Sequence, residues 1–208
     1  MTPPDGGTPR GAQVEFRVVA SNQAEPIDLG PLAPLVGQWS GDEGVDDAYV
    51  WVRKRAEQVP FREEATFVAA GPAHNGAQRL FRLDYRTTAW RLGEDVPFHT
   101  EIGFWFWDPD HELVMRGLVT PRGIVTLAGG AARAGDTTVT VSAEEGSSSF
   151  GILSNPHLTE TARTTEFRVT MDLSSPGRFS YDQQTFMMQP WTEGPYCHRD
   201  RNTLTRVG

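Results

Sequence analysis

The chain has 208 residues, a formal net charge of −8, 38% hydrophobic and 22% charged residues, and one cysteine, Cys197. This is the composition of an ordinary globular domain. The acidic balance excludes nonspecific attachment to phosphate backbones, which needs a basic face, and the lone cysteine excludes an internal disulfide.

No stretch approaches the roughly 20 apolar residues of a membrane-spanning helix. The first ten residues lack the apolar region of a secretory signal, so a cytoplasmic location is expected. Residues 1–26 are rich in Gly, Pro, Gln and Ala and are expected to form a flexible arm. Residues 27–208 are expected to form one domain. Ile27 to Val36 contains Pro31 and Pro34, which leaves room for a helical turn or two with Asp28 as a candidate cap.

From Trp39 onward the pattern is strand after strand. Ten are expected: Tyr49 to Val59, Phe61 to Ala69, Arg79 to Trp90, Pro97 to Trp107, Leu113 to Thr120, Gly123 to Leu127, Thr137 to Ala143, Thr164 to Leu173, Arg178 to Gln189 and Asn202 to Val207. They are rich in Val, Thr, Phe and Trp and partly alternate. Turn pairs such as Asn75-Gly76, Asp108-Pro109 and Pro176-Gly177 separate them. With no long amphipathic helix, this predicts an all-β fold, a closed antiparallel up-and-down barrel of about ten strands and lipocalin-like shape. A barrel this wide is not filled by its own side chains, so the fold implies a cavity and a ligand.

The sharpest local signal is Gly37-Gln-Trp-Ser-Gly-Asp-Glu-Gly44. A Trp between glycines at the entrance of a first strand suits a plug at the barrel floor, Trp39 supplying the plug and Gly37, Gly41 and Gly44 a backbone that can bend and approach closely. This segment resembles the GxWxGxG signature of the nitrobindins, haem-binding barrels related in shape to fatty-acid-binding proteins, with Glu43 at the last signature position and Gly44 after it. Phe61 to Phe67, Leu80 to Tyr85, Pro97-Phe-His-Thr-Glu-Ile-Gly-Phe104, Pro121-Arg-Gly-Ile-Val125 and Leu204-Thr-Arg-Val207 resemble further family stretches in the right order, over about residues 28 to 207.

The resemblance implies a ferric haem b whose iron is held by one histidine near the start of the last strand. It also implies chemistry on nitrogen oxides, including conversion of peroxynitrite to nitrate, with activity as a peroxynitrite isomerase only if haem is bound. The family pattern puts that histidine five residues before the leucine of the terminal strand. Counting back from Leu204 lands on Arg199, beside His198. Strand residues alternate faces, so the expectation is that Arg199 faces the cavity, that His198 points away unless a bulge restores it, and that this member has its axial histidine displaced or lost. Arginine cannot substitute, having no lone pair for iron.

Of the other histidines, His74, His111 and His157 fall in turns. His99 shares parity with Glu101 and Gly103 and is a candidate cavity-lining group, as a structural His-Glu pair or as part of a hydrolase or isomerase site with Glu101. No two histidines have metal-site spacing, so no metal is expected beyond haem iron through His198. The reading is a barrel that binds a small hydrophobic ligand, haem among the candidates; the alternative is a non-catalytic carrier of a lipid or other apolar metabolite. No nucleic acid or membrane partner is expected, and the oligomeric state is open, a homodimer included.

Overall fold

The computed structural model describes residues 26–207; the expected arm over residues 1–26 lies almost wholly outside them. A 3-10 turn, Gly30–Leu35, comes first, with Asp28 accepting a hydrogen bond from the Gly30 amide. The strands are β1 (Gly37–Val50), β2 (Arg55–Asn75), β3 (Gln78–Arg91), β4 (His99–Asp108), β5 (Leu113–Val119), β6 (Ile124–Ala131), β7 (Thr138–Glu145), β8 (Gly151–Ser154), β9 (Arg163–Ser175), β10 (Arg178–Met188) and β11 (Tyr196–Arg206). One short helix, α1 (Pro156–Thr161), capped by the Asn155 side chain, separates β8 from β9. Among the described residues no helix is long and apolar enough to cross a membrane.

The strands close into a barrel in the order β1-β11-β10-β9-β7-β8-β6-β5-β4-β3-β2. This corrects the expectation of about ten antiparallel up-and-down strands on two points. There are eleven strands: β1 lies almost wholly before the first expected strand, Tyr49 to Val59, which crosses the 3-10 turn Trp51–Arg53; the expected Tyr49–Val59 and Phe61–Ala69 share β2; and Ser147-Ser-Ser-Phe150 leads into the unexpected four-residue β8, too short to show a period. Moreover β8 inserts between β7 and β6 and runs parallel to β7, so hairpin order is broken there. Nor does Pro60 divide two strands: β2 runs through it, opposite Val45 and just past an irregularity in β1, where ladder bonding is already interrupted.

That irregularity is a β-bulge. Between Gly41 and Gly44, β1 carries one more residue than β2 opposite, and a matching shift separates its pairs with β11. The glycines make it possible: a Cβ on Gly41 would lie 2.2 Å from the Thr203 carbonyl oxygen, and one on Gly44 2.7 Å from the Phe61 ring. The bulge also reverses the parity of β1. Trp39 points inward before it, and Asp46 and Ala48 point inward after it.

Trp39 seals one end. It is buried, its indole N–H donates to the Leu35 carbonyl (2.7 Å), Phe179 meets its ring edge-on with centroids 4.9 Å apart, and the Arg206 guanidinium lies 4.4 Å from the ring centre. Arg206 also donates to the Pro34 and Val36 carbonyls, tying the 3-10 turn to β11. Leu32, Leu35, Trp107, Phe81 and Leu204 are buried in the same core.

Candidate ligand-binding site

Above this core the barrel encloses a cavity of about 420 Å³, within the range of small-molecule sites. Its wall mixes aromatic and aliphatic side chains (Phe61, Phe98, Trp105, Leu118, Phe167, Met187) with many polar ones. Of the aromatic run in β4, Trp105 and Trp107 are buried, while Phe104 is exposed and Phe106 half-buried on the outer face. The lining is therefore amphipathic, with only part of the aromatic content turned inward.

Two buried polar groups cross the cavity. In the first, the Arg116 guanidinium pairs with Glu101, donates from Nε to the Tyr85 hydroxyl (3.0 Å) and from Nη1 to Gln183 Oε1 (2.9 Å). It lies over the Trp105, Tyr85 and Phe167 rings at 5.2–5.6 Å. In the second, the buried Glu63 carboxyl accepts from Thr87 (2.5 Å), Tyr181 (2.7 Å) and Asn202 (3.1 Å). Only neutral groups bond to it. Burial, outweighing these hydrogen bonds, pushes its pKa up, whereas for Glu101 burial is overcome by Arg116 and the carboxyl is held at about 2. Burial raises the Tyr85 and Tyr181 phenols well above their ordinary value, so both remain hydrogen-bond donors.

His99 lines the cavity, its Nε2 3.9 Å from Glu101 Oε2. The structure brings the two together, but a carboxylate at about pKa 2 and committed to Arg116 is a weak base at neutral pH. The hydrolase or isomerase reading gains nothing from it. Gly37, Trp39, Gly41 and Gly44 belong to the closed end and the bulge; Trp39 and Gly41 make contacts there, and none of the four lines the cavity.

His198 corrects the sequence reading. β11 pairs with β10 without interruption from Tyr196 to Thr205, and Leu204 is fully buried. Six residues preserve the face of a regular strand, so His198 and Asp200 face the cavity with Leu204, and no bulge is needed. Arg199 faces outward and forms a two-pronged pair with Asp182. The parity of β11 was readable from Leu204 itself; the error lay in anchoring it on Arg199.

On the cavity wall His198 Nε2 lies 2.6 Å from Asp46 Oδ1 and 3.3 Å from Asp200 Oδ1. Asp46 is buried and directly opposite Asp200 across the β1–β11 pair. Two carboxylates so placed demand a cation. Burial disfavours the imidazolium, but the hydrogen bonds it donates to Asp200 and Asp46 outweigh this and push the His198 pKa up to about 10. The donor atoms of the three residues all lie within 4.8 Å of one another, close enough for one divalent ion to take the proton's place. Asp46 had no sequence signal of its own; only the bulge turns it inward.

A family model described as the THAP4-like, heme-binding beta-barrel domain matches residues 28–206. The chain belongs to this family, the nitrobindins. Among solved structures this nitrobindin resembles Rv2717c from M. tuberculosis, with a TM-score of 0.61 and 19% identity over 89% of this chain and 100% of that one, a likeness of fold. No protein of curated function matches the sequence. The residues of this nitrobindin do not fit a histidine-ligated iron as they stand: the imidazole is on the cavity wall, but its Nε2 is turned to the Asp46 and Asp200 carboxylates, 2.6 and 3.3 Å away, instead of into open space where a haem iron would sit.

Proposed function

We propose that this nitrobindin binds a small amphipathic molecule, its apolar body against the aromatic wall and its polar part toward the Glu101–Arg116–Tyr85 group, without a bond from His198 to iron. The observation that carries this reading is the double engagement of His198 Nε2 by Asp46 and Asp200 beside an open cavity. The buried polar groups supply fixed donors and acceptors, and the flanking rings supply area, the usual division of labour in a small-ligand site.

A second reading, ferric haem with His198 as axial ligand, is favoured by the position of His198 on the wall and by the family; nitrogen-oxide chemistry belongs to that reading alone. Titration with ferric haem separates the two. We expect wild type and His198→Ala to give the same broad spectra, and Asp46→Asn combined with Asp200→Asn to gain a sharp, His198-dependent Soret band. A sharp band in wild type that His198→Ala abolishes would establish the second reading instead. Ligand binding itself is tested with the uncharged dye Nile red: Ala89→Trp, which fills the cavity from β3, should abolish the fluorescence gain, and unchanged binding would refute the cavity as the site.

A further inference from the structure

Besides the Arg116 and Glu63 groups, the cavity wall carries a third polar group, Asp46, His198 and Asp200. Its donors stand on paired strands, not on loops. Asp46 of β1 is the direct cross-strand partner of Asp200 in β11, and His198 lies two residues away on the same face of β11. Next to Asp46, the Tyr196 hydroxyl donates to the Asp47 carbonyl (3.0 Å) and holds the backbone that follows the bulge. Gln183 Nε2 lies 3.5 Å from Asp200 Oδ2, while its Oε1 accepts from Arg116. Donors supported in this way are preorganised.

The group is not saturated by its own members. The Asp46 side chain is 3% exposed, yet among the described residues its Oδ2 has no hydrogen-bond donor, and the Arg91 guanidinium stands 3.9 Å off. A buried carboxylate oxygen without a donor is costly. The His198 proton lies between Oδ1 of each aspartate and leaves Oδ2 unserved. A divalent ion neutralises both carboxylates and can engage Oδ2 as well as Oδ1, since carboxylates bind metals through one oxygen or both. The span suits it too. A tetrahedral ion holding its ligands at about 2.0–2.2 Å spaces them roughly 3.4 Å apart, and the donor atoms here lie within 4.8 Å of one another.

We propose that Asp46, His198 and Asp200 form a site for one divalent transition-metal ion, held by His198 Nε2 and the carboxylate of each aspartate, with its remaining position turned to the cavity. Three protein ligands and one open position is the arrangement of zinc sites that act on a bound molecule. The donor set selects the ion. Mg²⁺ and Ca²⁺ take oxygen ligands, so the imidazole disfavours them. Soft ions want thiolate, and Cys197, one residue before His198, faces the other side of the strand. Zn²⁺ accepts mixed nitrogen and oxygen ligands and fits. The site involves no haem and shares no residue with the Arg116 group, so its failure would leave the choice of organic ligand untouched.

Equilibrium dialysis of the untagged full chain, stripped with EDTA, against micromolar zinc chloride at pH 8 tests it. Wild type should retain one zinc per chain. His198→Gln and Asp46→Asn should each weaken binding by at least about 100-fold, the upper end of what losing a mere outer partner costs. His111→Gln, which removes the Asp108–His111 contact at the β4–β5 turn, should bind as wild type does. Excess Mg²⁺ should not displace the zinc. Zinc should raise the Tm of wild type and not of the two site variants, and far-UV circular dichroism checks that the variants are folded. A wild type that retains no zinc overturns the proposal, and so does undiminished binding in either site variant. Displacement by Mg²⁺ would leave the carboxylates alone as ligands and overturn it equally.

Discussion

Replacing Arg116 by Met tests the buried polar architecture most directly. The two side chains of the Arg116–Glu101 pair are 9% and 3% exposed. Met conserves much of the volume but leaves Glu101 with the Tyr85 hydroxyl and the more distant His99 as partners. Removing one partner of a buried ion pair costs about 3–5 kcal/mol. The adjoining cavity lets water approach, which places the expected loss near the lower end. For a domain of this size, about 3 kcal/mol corresponds to a fall in Tm of roughly 6–12 °C. The acid limb of the stability curve gives a second signature. Glu101 titrates at about 2 when folded, below its ordinary 4.5, so in wild type its contribution is present above pH 4.5 and is lost as pH falls toward 2. In Arg116→Met the carboxyl is buried without a cation, its pKa rises, and this contribution changes sign. Adding Glu101→Gln should recover part of the loss. Urea denaturation from pH 2 to 7 reads all of this; a loss under ~1 kcal/mol, below the range for an uncompensated buried charge, would refute the reasoning.

Trp39→Ala removes the plug with its indole hydrogen bond and should cost about 3–5 kcal/mol; a loss under ~1 kcal/mol would show that the indole seals nothing. His198 has a folded pKa of about 10 against an ordinary 6.5, so its pairing stabilises fully below pH 6.5 and is lost as pH rises through 10. Stability should fall across that window in wild type and stay flat in His198→Gln; parallel curves would contradict the pairing. Gly41→Val forces a side chain against the Thr203 carbonyl and should destabilise by roughly 1–3 kcal/mol, as overpacking does. Hydrogen exchange should show the β1–β11 ladder opening first, and a protected ladder would place the cost elsewhere.

Much of the barrel was legible because its strands advertise themselves. The alternation of Leu80 to Tyr85 and the turn pair Asn75-Gly76 mark β3 and its junction with β2, and Pro176-Gly177 marks the hairpin between β9 and β10. β8 was not legible, since four residues carry no period and its partners are set by the closure of the whole sheet. The candidate site was legible in part. His99 and Glu101 share parity and do face the cavity together. Asp46 could not be found, because an alternation counted from Trp39 puts it on the wrong face; only the extra residue between Gly41 and Gly44 reverses the count. Glu63 and Arg116 were likewise invisible as cavity groups, since their partners Asn202 and Glu101 are contributed by other strands.

The pair β1–β11 that closes the barrel also carries the Asp46–His198 contact, between residues 152 positions apart. Joining them fixes a long loop, an entropic cost that must be met before the contact returns anything, and such closures are slow relative to local hairpins. An imidazole that is neutral in the open chain at pH 8 becomes a cation only when the two carboxylates converge on it. Closing the seam is therefore coupled to taking up a proton, and weakly buffered protein refolding at that pH should turn its medium more alkaline as the barrel shuts.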